Sequence, residues 1–256
     1  MFVDTHCHLD DERFNDFAEL YNLIENEQVD FAINMGCDLA SSIRGKEFAE
    51  NYSKIYFGAG FHPNEVEKFN YNDLDLIKKL TSHEKCVAIG EIGLDYHYEG
   101  FDKELQQKVF VSQLELAKET KLPISIHCRD ATESTVNLLK TNKNLLEYGG
   151  VMHCYSGSIE TAKILLDLGL YISFAGTLTF KNAKNLVEVA SFLPIDRVLT
   201  ETDSPYLSPE PFRGKVNNPS MVKFVAKRLA EIKNLSLDFL CEQIRCNAKK
   251  LFYKIK

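Results

Sequence analysis

Short apolar runs, bounded by glycine, proline or aspartate, alternate along this chain with longer stretches of helical apolar spacing. The runs fall at Met1–His6, Phe31–Cys37, Ile55–Phe61, Cys86–Ile92, Ile124–Cys128, Val151–Cys154, Tyr171–Ala175 and Val198–Thr202. They are nearly continuous rather than alternating, as expected of parallel strands covered on both faces. Between them, Leu105, Val109, Ser112 and Leu116 fall near one helical face, with charges elsewhere. Asn218-Pro219 reads as the cap and first position of a helix reaching about Ile232, and Ser236 as the cap of a closing helix. Eight strands, each followed by a helix and with no linker or low-complexity break, predict an α/β fold. The expected form is one (β/α)8 (TIM) barrel domain over residues 1–256, with a doubly wound open sheet as the alternative.

The polar residues sharpen that choice. His6-Cys7-His8 closes the first strand, Gly60-Phe61-His62-Pro63 the third and Gly90-Glu91-Ile92-Gly93-Leu94-Asp95 the fourth. His127-Cys128-Arg129, His153-Cys154-Tyr155 and Glu201-Thr202-Asp203-Ser204-Pro205 close the fifth, sixth and eighth. In a barrel these ends converge on one rim, where active sites are built. A lone histidine is more often a packed or surface residue; of the seven here, only His83 and His97 lack the strand-end placement. His6 and His8 are two apart on a strand and project to one face, so both can reach one cation. Glu91 carries two oxygens, as a group bridging two divalent ions about 3.5–4 Å apart requires. Asp203 suits a ligand, an acceptor for a proton from water, or both. Glu201, two residues earlier on the same face, is placed to orient a ligand. The expected metal set is His6, His8, Glu91, His127, His153 and Asp203.

Composition narrows the class. The chain has 256 residues, 45% of them hydrophobic, enough for one large core. No run approaches the ~18 apolar residues of a membrane helix, and Met1 leads almost directly into Asp4 and His6 rather than a basic and apolar leader. A soluble cytoplasmic protein without membrane association is expected, and no obligate protein partner is evident. A formal net charge of -7 argues against a broad basic nucleic-acid face. It leaves a polyanionic substrate open, since bound cations make a small site locally positive. Of the seven cysteines, Cys7, Cys128 and Cys154 each follow a histidine and should face away from the rim as reduced, packed thiols.

Together these motifs, with Arg213-Gly214, Asn217-x-Pro219, His153-Cys154-Tyr155-Ser156-Gly157 and the closing Asn247-Ala248-Lys249-Lys250-Leu251-Phe252, resemble the TatD family of metal-dependent deoxyribonucleases over the whole chain. The resemblance implies one metal on His6, His8, Glu91 and Asp203, and another on Glu91, His127 and His153. Tyr155 stands where the family commonly has phenylalanine, and Val216 and Asn218 where a basic and an acidic residue are frequent; these departures bear on substrate preference.

Phosphodiester hydrolysis, with DNA as the leading substrate and exonuclease action as one form of it, is therefore the first expectation. Asp203, Glu91 and His62 would be catalytic; His62, Arg129, Ser204 and Arg213 would contact phosphate, and Tyr155 would stack on a base. Hydrolysis of a small amide, lactone or ester, or of D-aminoacyl-tRNA, is the alternative on the same scaffold. Related barrels often bridge their metals through a modified strand-four lysine. Here Glu91 takes that place and Lys85 precedes the strand. A purely structural metal site is a poor fit, because that needs one closed tetrahedral set. Histidine-rich ligation suits zinc, manganese, nickel or iron, and magnesium prefers oxygen, so the ion is left open among them.

Overall fold

The strands β1 (Phe2–Cys7), β2 (Val29–Met35), β3 (Ile55–Ala59), β4 (Cys86–Asp95), β5 (Ile124–Arg129), β6 (Gly150–Met152), β7 (Tyr171–Phe174) and β8 (Val198–Thr200) pair in parallel, in sequence order, in one sheet. Between them run α1 (Phe17–Asn26), α2 (Leu39–Asn51), α3 (Tyr71–Thr81), α4 (Lys103–Thr120), α5 (Thr132–Thr141), α6 (Ile159–Asp167) and α7 (Lys184–Phe192). After β8 come α8 (Val222–Lys233) and α9 (Leu237–Leu251). The computed structural model describes residues 1–256.

The sheet curls until β8 meets β1. There the Asp203 N–H donates to the His6 carbonyl (2.9 Å) and the His8 N–H to the Ser204 carbonyl (2.7 Å). Buried Asp4 reinforces the seam by accepting both the N–H (2.9 Å) and the hydroxyl (2.6 Å) of Thr202. The architecture is thus a (β/α)8 barrel and not an open sheet, and its closing seam carries three of the expected ligands.

All eight expected strands form, with shifted ends. β4 runs on to Asp95 with every residue buried, because Leu94 and Asp95 stay paired with Cys128 and Arg129 of β5. β8 ends at Thr200, and Asp203 beyond it takes the left-handed φ of 54°. Asn218 caps a 3-10 turn over Pro219–Met221 that leads into α8, and Ser236 caps α9 by accepting the Phe239 N–H.

On α4 the buried stripe is turned slightly from the expected one and includes two glutamines among Val109, Phe110, Leu114 and Ala117. Gln113 accepts the Phe61 N–H (2.7 Å) and donates to the Phe61 carbonyl (3.0 Å). Gln106 does the same for Asp95, at 3.0 Å in both directions. The two amides satisfy rim backbone groups left without strand partners, and so hold in place Phe61, next to His62, and Asp95. No helix is long and apolar enough to cross a membrane.

Candidate metal centre

Glu91 projects from β4 into the mouth of the barrel, and its two oxygens face different partners. Oε2 lies 3.3 Å from His6 Nε2 and 3.4 Å from His8 Nε2, and His8 Nε2 is 3.5 Å from Asp203 Oδ1. Oε1 lies 2.7 Å from His127 Nδ1 and 2.7 Å from His153 Nε2. The four histidines expected as ligands therefore converge on Glu91: His6 and His8 from β1, with Asp203 joined through His8, and His127 and His153 from the ends of β5 and β6. Glu91, His127 and His153 form one set whose donor atoms lie within 4.8 Å of one another, and His6, His8 and Asp203 form a second.

Each imidazole is anchored behind its inward nitrogen. His6 Nδ1 is 3.1 Å from Ser125 Oγ, and His8 Nδ1 is 3.0 Å from the Met35 carbonyl. His127 Nε2 is 3.1 Å from Asp95 Oδ2, and His153 Nδ1 is 3.2 Å from Glu201 Oε1. Such partners fix ring orientation and the tautomer that leaves the inward nitrogen free as a donor. Glu201 orients a ring as its position implied. Asp95 was missed, although Glu91, Gly93 and Asp95 are two apart along β4 and that parity puts both carboxylates on one face. Asn64 and the His97 N–H hold Asp95 from the other side (3.3 and 2.9 Å).

The electrostatics call for a cation. Glu91 and Asp203 have only histidines as ion-pair partners. Burial would raise the Glu91 carboxyl, yet the surrounding imidazoles, His153 foremost, hold it well below the usual carboxylate range. Burial would lower His153, yet the Glu91 and Glu201 carboxylates pull it well above the usual imidazole range. His6 goes the other way, lowered by burial and by the facing His153. Protons thus stand in for positive charge among groups that are all metal ligands by chemistry, and a divalent ion would displace them. Two carboxylates and four oriented imidazoles fit such ions.

Local backbone makes this convergence possible. Gly93 has φ +147° and lies so close to β5 that a Cβ would sit 2.0 Å from the His127 carbonyl oxygen. A side chain at Gly90 would press on Ser125, the residue behind His6, at 2.7 Å. Cys154 and Asp203 hold left-handed φ values of 43° and 54°, costly for residues other than glycine. Asn217 pins the loop after Asp203 by donating to the carbonyls of Thr202 (2.9 Å) and Tyr206 (2.7 Å).

Above the centre opens a cleft of about 680 Å³. His62 and Arg129 line it. His62 Nε2 lies 3.7 Å from Glu91 Oε1, its Nδ1 accepts the Asn64 N–H, and burial pushes its pKa down to about 3. Three expected substrate contacts are placed elsewhere. Tyr155 is buried and donates its hydroxyl to the Ser158 carbonyl, so it has no face to offer a base. Its predecessor Cys154 turns left-handed and breaks the strand alternation. Ser204 is fully buried against the β1 seam and does not reach the cleft. Arg213 lies outside it, over the Phe180 ring at 4.2 Å. All seven cysteines are free thiols, and Cys7 packs behind β1 as expected, but Cys128 and Cys154 border the cleft. Lys85 is remote, donating to the carbonyls of Ala49 and Tyr52 at the other end of the barrel.

Known proteins are similar to this chain along most of its length. The family model for TatD-related DNases matches residues 3–253. The metal-dependent hydrolase YabD of Bacillus subtilis is 45% identical over 98% of this chain and 99% of its own length. YcfH of Escherichia coli, another metal-dependent hydrolase, is 37% identical over 98% of this chain and 95% of its own. Among solved structures, the TatD homologue YjjV of E. coli superposes with a TM-score of 0.93 at 31% identity, covering 98% of both chains. A mutant organophosphorus hydrolase from Deinococcus radiodurans, at 14% identity and a TM-score of 0.65, shares the barrel. With a ligand cluster on the barrel rim and matches along its whole length, this chain belongs to the TatD family of metal-dependent hydrolases.

Proposed function

We propose that the protein hydrolyses phosphodiester bonds, with DNA as its substrate, at a centre for two divalent cations. The observation carrying this reading is the division of Glu91, one oxygen toward His6 and His8 and the other toward His127 and His153. In it, His6, His8, Asp203 and Glu91 would hold one ion, and Glu91, His127 and His153 the other. When bound, such a pair polarises a phosphoryl group and makes water more acidic.

The chain's own residues supply the rest. Asp203 is ionised at neutral pH, since His8 and the neighbouring imidazoles outweigh burial and hold its carboxyl low. It is placed to take the proton of the attacking water as that oxygen bonds to phosphorus and an ester oxygen departs. His62 is neutral, and because Nδ1 accepts a backbone N–H, its proton sits on Nε2, directed into the cleft. It donates a hydrogen bond to a phosphoryl oxygen there, and Arg129 adds charge at the rim.

The test is a panel of purified protein against end-labelled single-stranded DNA, RNA, aryl phosphodiesters, lactones and aminoacyl-tRNA, with and without chelator. Metal-dependent DNA cleavage is expected, with Glu91→Gln losing on the order of 10³-fold and His62→Ala much less, because only Glu91 organises both halves of the centre. Turnover of lactone or aminoacyl-tRNA with no phosphodiester cleavage would overturn the reading.

A further inference from the structure

Two tyrosines with no role so far stand at the mouth of the cleft. Tyr98 follows β4 and Tyr206 follows β8, strands four positions apart in an eight-strand ring and therefore diametrically opposite. Both line the cleft, yet they are 50% and 46% exposed, an unusual state for side chains beside a site walled by buried groups.

Each ring is paired with a guanidinium. Arg13 lies 4.2 Å from the centre of the Tyr206 ring and is itself clamped by Asp11 through two 2.7 Å hydrogen bonds. Arg129 lies 5.2 Å from the centre of the Tyr98 ring and donates to its hydroxyl at 3.2 Å. Tyr206 also meets the candidate ligand His8 edge-on, with ring centres 6.2 Å apart. The planes are held in place before any ligand arrives, and planar guanidinium and phenol surfaces both stack on nucleobases.

Building on the nuclease reading, we infer that Tyr206 with Arg13, and Tyr98 with Arg129, are two nucleobase platforms on opposite sides of the metal centre. They grip the unpaired bases that flank the scissile phosphate. Stacking reads only the π-face of a base, so the platforms select unpaired over paired nucleotides without selecting sequence.

The experiment measures kcat and KM on short single-stranded oligonucleotides, intact or with a baseless sugar at either nucleotide flanking the cleaved bond. Tyr98→Ala and Tyr206→Ala should each raise KM roughly 5- to 150-fold on intact strands, the loss of one stacked base, and Tyr→Phe at either position should restore most of it. Each alanine change should lose its effect on the substrate lacking the base its platform holds, and keep it on the other. Equal losses on intact and baseless strands, or none, with DNA still cleaved, would overturn the platforms and leave the nuclease reading standing. Failure of the unaltered protein to cleave DNA would overturn both.

Discussion

At the residue scale, the most informative group is one outside the expected ligand set. Asp95 stands behind His127 and is gripped by Asn64 and the His97 N–H, so it transmits the rigidity of the rim to a ligand ring. Its carboxyl is held at about 2, since hydrogen bonds and the His127 charge outweigh burial, and it remains an acceptor throughout the working range. Asp95→Ala should therefore weaken cation binding by about 10- to 100-fold with the fold intact, and Asp95→Asn, which keeps an acceptor oxygen, should do less. Calorimetric titration of metal into chelator-treated protein, beside circular dichroism, checks this. Unchanged affinity in the alanine variant would remove the residue from the centre.

At the scale of elements, α4 does more than cover β4. An apolar stripe alone would have satisfied packing, but Gln106 and Gln113 occupy it and clasp the backbone of Asp95 and Phe61. Each clasp bears on the candidate centre: His62 follows Phe61, and Asp95 itself orients the His127 ring. Gln113→Leu preserves bulk and raises apolarity, yet leaves a buried N–H and carbonyl without partners. It should destabilise the protein by on the order of 1–3 kcal/mol per unpaired group, read by urea unfolding, and loosen His62. A neutral or stabilising result would mean that water replaces the amide.

At the scale of the whole molecule, charge and shape divide the work of binding. The surface is acidic overall, and the cationic groups at the cleft mouth are few, Arg13 and Arg129 among them. A polyanion should therefore be held by the metal centre and a small number of rim contacts. Each phosphate contact contributes about -0.7 to the slope of log affinity against log salt for single strands, so a slope of about -1 to -3 is expected. Binding of an uncleavable phosphorothioate oligonucleotide across a salt series measures it. A slope beyond about -5 would show an extended basic track that the net charge conceals.

The barrel and the cluster of candidate metal ligands on its rim were legible along the chain because both are encoded locally. A strand covered on two faces must be continuously apolar, and its polar residues are pushed to its ends, so the eight runs and the His6, His8, Glu91, His127, His153 and Asp203 pattern carried fold and centre together. That Glu201 orients a ligand followed from strand parity, with His153 supplied by the fold, and the same parity applied to β4 reaches Asp95. What lay beyond the linear pattern depends on how loops turn after the strands end. Tyr155 has the chemistry of a stacking residue, but the left-handed Cys154 before it sends its ring into the core. Tyr98 and Tyr206 line one cleft from opposite strands only because β4 and β8 are opposite staves of a closed ring, a relation between residues that are distant in sequence. Ser204 likewise carries a phosphate-binding hydroxyl, and the closing of β8 onto β1 buries it. Periodicity is a property of neighbours along the chain, whereas exposure and facing are set by packing between elements.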